Sequence, residues 1–185
     1  MKKKFLKTSV GLLLFVTLIS GQSVGQSLTT GDIRSFLVKE WERAKAYTNE
    51  YLDAMPRDKY GFRAVDSIRS FAEQMLHLAQ ANLFLMSAAT DQAPPSFLSP
   101  TLEKSPTAQA PDSVRYYVNA SYDFCINAVK NSDMSKWGEK KKVFIFENTR
   151  YAFMTKVFEH QTHHRGQTTI YIRLLGIKPP EEKLF

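Results

Sequence analysis

The sequence predicts an all-α fold, a four-helix bundle, and three observations carry that prediction. Four segments of roughly twenty residues repeat apolar side chains at three- and four-residue intervals, and one long proline-rich connection divides them into two pairs. The only strand-like run, Lys142 to Asn148 (KVFIFEN), is too short to predict a sheet.

The first helix is expected over Asp32 to Ala54, where Ile33, Leu37, Trp41, Ala44, Thr48 and Leu52 share a face and Pro56 ends it. After a connector, Asp66 reads as an N-cap for a second helix running to about Ala89. Residues 91 to 111 hold five prolines among serines and threonines with no periodicity, so they form a loop long enough to be a lid or a crossover. Asp112 opens a third helix that ends near Asn131, and a polar turn follows through Trp137 and Gly138. The fourth helix is expected from about Thr149 to Leu175, with Gly176, Pro179 and Pro180 as its stop.

At 185 residues the chain suits one domain, at 26–185, behind a leader at 1–25. The leader has a lysine cluster, an apolar run from Val10 to Ile19 and small residues up to Gly25, the pattern of a secretory signal peptide. Its apolar run is about half of what a membrane-spanning helix requires, so export to the periplasm or the exterior, with no membrane contact after leader removal, is expected. Lys2, Lys3, Lys4 and Lys7 account for four of the seven excess positive charges, which leaves +3. So mild a balance, with one dense lysine run at Lys140 to Lys142, argues against nucleic acid as a partner. Cys125 is the single cysteine, excluding an intrachain disulfide, and its neighbours at helical spacing mark it as a core thiol.

Three of the four histidines lie within five positions, in FEHQTHHRGQ (158–167), and the fourth is His77. At about 100° per residue, His160 and His164 fall on the apolar stripe of Phe153, Val157, Tyr171 and Leu175. Four-residue spacing puts two imidazoles one turn apart on one side, which is how a helix offers two ligands to one metal ion. Two core-facing histidines that simply bond each other or a carbonyl are the alternative. Gly166 inside the helix invites a packing or access reason, and Arg165 and Gln167 set polar groups beside the stripe. His163 points away from the pair, as a supporting or surface group. On helix two, His77 lies nearly opposite the apolar face of Ile68, Phe71, Met75, Ala79, Asn82 and Met86. It shares a stripe with Ser70, Glu73, Gln74, Ala81 and Phe84, and periodicity leaves open whether that stripe is surface or cleft.

The segments WERAKAYTNEYLDAMPRDKYGFRAVDSIRSFAEQMLHLAQAN and HQTHHRGQTTIYIRLLGIKPP resemble the DinB family, the DinB/YfiT-like metalloenzymes, over about Trp41 to Pro180. The resemblance implies an up-down-down-up course with 91–111 as the crossover, and a divalent metal bound by His77, His160 and His164. Three imidazoles would leave an exchangeable position, as in catalytic sites. Zinc is the expected metal, with nickel, iron and manganese also suited to imidazole. Glu73, one turn before His77, is a candidate for a supporting or base role. The resemblance implies small-molecule chemistry, either hydrolysis or thiol-dependent S-transfer, on an unspecified substrate. A non-catalytic metal-binding or interaction module is the alternative, with a fourth position filled by His163 or Glu73. A homodimer is compatible with a bundle whose cleft lies at one end.

Overall fold

A computed structural model describes residues 27–185; the expected signal peptide at 1–25 lies outside the described residues. Thr29 starts α1 (Thr30–Ala54) through a reciprocal cap. Its hydroxyl accepts from Asp32 N at 3.1 Å, while the Asp32 carboxylate accepts from Thr29 N at 3.0 Å, so two helix-end donors are satisfied at once. The same device opens α2 (Phe71–Thr90), with Ser70 as N-cap and Glu73 reaching back to Ser70 N at 2.7 Å. The helix thus starts later than the Asp66 cap predicts. Phe71 N and Ala72 N donate instead to the carbonyls of Phe62 and Tyr60, tying the connector to the helix start. Ile68 therefore precedes the helix and is exposed.

Pro111 occupies the first position of α3 (Pro111–Asn131), where its missing N–H is no loss. The run around KVFIFEN forms a two-stranded antiparallel hairpin, β1 (Lys140–Val143) and β2 (Phe146–Thr149), with Val143 opposite Phe146. Sequence reading missed it because the loop, Phe144-Ile145, carries none of the usual glycine or asparagine. Phe144 nonetheless adopts φ 54°, at a loop position that normally takes glycine. Thr149 then caps α4 (Arg150–Leu174), and Gly176 at φ 74° ends it.

Side-chain pairs give the direction of each helix. Asp53–Arg115 and Lys45–Asp123 run α1 and α3 antiparallel. Contacts of Asn82 with Ser121 and of Gln92 with Ala128 run α2 and α3 parallel. Gln74–His164 at one end and Arg150–Ala89 at the other run α2 and α4 antiparallel. Trp41–Phe158 and Tyr51–Thr169 make α1 and α4 parallel. The bundle is up-down-down-up, and parallel α2 and α3 oblige the connection at 91–110 to travel back along the bundle.

Trp41, Phe71, Met75, Tyr122, Met154 and Ile172 form the core, with Trp41 edge-on to Tyr122 and Phe158. Cys125 is fully buried there, 3.6 Å from Asn82 O, and burial pushes its thiol well above the ordinary value. A polar cluster crosses this interior. Tyr122 Oη lies 2.7 Å from Thr48 Oγ1 and donates to Gln161 Oε1 at 2.7 Å, which also accepts from Arg165 Nη1. Arg165 lies over the Tyr47 ring, 4.5 Å from its centroid, so its charge is buried with partners rather than aimed at the histidines. Among the described residues, no helix is long and apolar enough to cross a membrane.

Candidate metal centre

His77 projects from the second turn of α2 and His160 and His164 from successive turns of α4, which packs antiparallel against it. The three rings converge. Centroids lie 4.5 Å apart for His77 and His164, 4.3 Å for His160 and His164, and 5.5 Å for His77 and His160. One nitrogen from each ring lies within 4.8 Å of the others, and Nε2 of His160 is 3.0 Å from Nε2 of His164. The mixed stripe on α2 is therefore a cleft wall, with His77 and Phe84 both bordering a cavity.

Neighbouring groups orient two of the rings. His77 Nδ1 donates to Glu103 Oε2 at 2.9 Å, which fixes the tautomer and leaves Nε2 with its lone pair. Glu103 comes from the crossover, in a single helical turn at Leu102–Lys104, and its carboxylate also accepts from Arg69 Nε at 2.9 Å. His164 Nδ1 lies 2.8 Å from the side-chain amide of Gln74, which also meets Gln167. His160 Nδ1 is buried without a partner, so no hydrogen bond at that nitrogen sets its orientation.

Electrostatics keep the rings neutral. Burial first, then the neighbouring histidines, lower His160 to about 4 and His164 to about 3, and burial and Arg69 lower His77 against the pull of Glu103. Neutral imidazole is the form that ligates, so the cluster is in that form at neutral pH. Metal–nitrogen bonds of about 2.0–2.1 Å place ligand atoms roughly 3–4 Å apart, and the observed separations suit a single ion with little rearrangement. The donor set fits a divalent cation.

Glu73 does not support the site. Its carboxylate is taken by Ser70 N and, at 2.7 Å, by Arg63, and it makes no hydrogen bond with His77. Sequence reasoning chose it by helical proximity and missed Glu103, twenty-six positions beyond His77 across a proline-rich segment with no periodic signal. His163 is exposed and its Nε2 lies 3.0 Å from the Gln167 amide, as expected of a supporting or surface group. Gly166 has no packing role, because a Cβ there would meet open space.

An up-down-down-up bundle with three histidines gathered from two antiparallel helices defines a helical protein that could hold a metal ion. The model of the DinB family matches residues 27–183, and the chain belongs to that family. Among solved structures, a DinB-like protein from Bacillus cereus is similar at a TM-score of 0.69 and 15% identity, covering 80% of this chain and 97% of that one. A DinB-like protein from Bacillus subtilis, YjoA, is similar at a TM-score of 0.61 and 15% identity, covering 81% and 96%. At such identity the likeness is one of fold. No curated protein matches the chain.

Proposed function

We propose that this chain is an exported, divalent-metal-dependent enzyme acting on a small molecule, with His77, His160 and His164 as the ligands and zinc as the metal. The convergence of three neutral imidazoles, two of them oriented from behind, is the observation that carries this reading. A bound cation there would supply Lewis acidity toward a water, a thiol or a carbonyl. The protein's own part is to hold three nitrogens on one side and leave the opposite side to substrate. Glu103 keeps the His77 proton on Nδ1, and Gln74, whose amide can present nitrogen or oxygen, holds His164 at its Nδ1. Neither His163 nor Glu73 is placed to close a fourth position, since Gln167 and Arg63 engage them.

Hydrolysis and thiol-dependent S-transfer both use such a site. Export favours hydrolysis, because its nucleophile is water and does not depend on a cytosolic thiol pool. Elemental analysis of the untagged mature domain tests the reading at its base. Stoichiometric metal in the parent protein, lost in His160→Ala and His77→Ala, is the expected result. Metal-free parent protein that takes up no zinc or cobalt on titration overturns it.

A further inference from the structure

Two cavities open beside the histidines, and their walls are mainly apolar. One, about 680 Å3, is bordered by His160, Phe153, Val143 and Phe146, with Lys156 and Glu159 also on its wall. The other, about 600 Å3, is bordered by His77, Phe84, Leu98 and Pro100, and no Lys, Arg, Asp or Glu lines it. Leu85 and Phe144 border both, so the cavities flank a shared wall, with one histidine ligand on each side. A polar cavity of about 720 Å3, holding Arg63, Arg69 and Lys104, lies behind Glu103 and Gln74, and none of the three histidines lines it. His77 and His160 are thus reached from the apolar side.

Phe144 is the residue around which this wall is built. Its ring stacks on Phe84 with centroids 5.2 Å apart and planes at 25°, although the residue as a whole is 70% exposed. It stands at φ 54°, a left-handed conformation unfavourable for a bulky side chain, at a loop position where glycine would be free of strain. Strain held at such a position against a local preference marks a place where the side chain itself is needed.

We infer that the substrate is an amphiphile, with a compact metal-ligating head and an unbranched alkyl or aryl tail that lies against Phe84 and Phe144, and that Phe144 at the hairpin tip determines this specificity. The inference depends on the metal-site reading for the head and on the apolar walls for the tail. Each buried methylene is worth roughly a fourfold gain in affinity, so tail length is the quantity to vary.

The test uses cobalt-loaded mature protein with acetohydroxamate and octanohydroxamate, following the cobalt absorption spectrum and the heat of binding. Octanohydroxamate is expected to bind at least about tenfold tighter. Phe144→Asn, which accepts the left-handed backbone, is expected to bring that ratio to about threefold or less by weakening octanohydroxamate far more than acetohydroxamate. Equal affinities for the two probes, with a normal spectral response to both, overturn the amphiphile inference and leave the metal reading standing. If cobalt does not load, the metal-held head is overturned, and octanoate titrated into metal-free protein decides the tail: no measurable binding overturns that half as well. Self-association with rising concentration that Phe144→Asn abolishes, together with chain-length-independent binding, assigns the apolar wall to a second copy and overturns the inference.

Discussion

A histidine can ligate a cation only through a nitrogen free of its proton, so the group behind each ring matters as much as the direction in which it points. Glu103 does this for His77 from within the crossover loop. Glu103→Ala is expected to weaken metal binding about 10- to 100-fold, the cost of losing such an outer partner. Glu103→Gln retains an acceptor and should lose less; chelator competition measures both, and unchanged affinity in the alanine variant would sink the role. The same rings make stability depend on pH in metal-free protein. Their folded values, about 4 for His160 and 3 for His164, lie below the ordinary 6.5, so the unfolded chain binds protons first. Their contribution is complete above about pH 6.5 and is lost as pH falls from there toward 4 and 3. Urea unfolding at pH 7.5 and 5 should show this drop, and His160→Gln combined with His164→Gln should flatten it.

Helix ends and the hairpin set where these residues stand. Ser70 and Glu73 close the first turn of α2, one turn before His77, and Ser70 is buried. Ser70→Ala should cost about 0.5–2 kcal/mol of stability by removing this cap. Gly166 tests the opposite case. It lies in helical conformation with open space where a Cβ would stand, so Gly166→Ala should stabilise the protein by about 1 kcal/mol. A higher urea midpoint at unchanged slope is the expected sign; a lower midpoint would mean the glycine has a packing role that its surroundings do not reveal. The S-x-x-E capping signature at Ser70 was readable in the sequence, yet Asp66, an equally good cap residue, stands four positions earlier. Choosing between them required the bonds from Phe71 N and Ala72 N back to the connector. The hairpin was less legible still, because Phe144-Ile145 carries no turn chemistry and its backbone is held by stacking on another element.

At the scale of the bundle, α2 and α4 run antiparallel along the wall that the histidines share, so ligand and fold stability are linked. A metal bound only by the folded state adds RT ln(1 + [L]/Kd), about 4 kcal/mol at a thousandfold excess over Kd. Melting of the loaded and chelator-stripped protein should therefore differ by many degrees in the parent chain and converge in His164→Ala. Identical melting of the parent in zinc and in chelator would contradict a site that joins the two helices. The crossover adds a second link, since Glu103 and Arg69 clasp the loop to the same end of α2.

The periodicity of apolar residues was enough to specify four helices, their approximate limits, the buried place of Cys125 and the shared face of His160 and His164, because these follow from a 3.6-residue repeat within one segment. Resemblance to the family added His77 and the bundle's course. The partnership of Glu103 with His77, the engagement of Glu73 elsewhere and the fold of Phe144 onto Phe84 join residues far apart in the chain or held by a neighbouring element. No local preference encodes such pairs; they exist only once antiparallel helices and a returning loop bring those side chains within bonding distance.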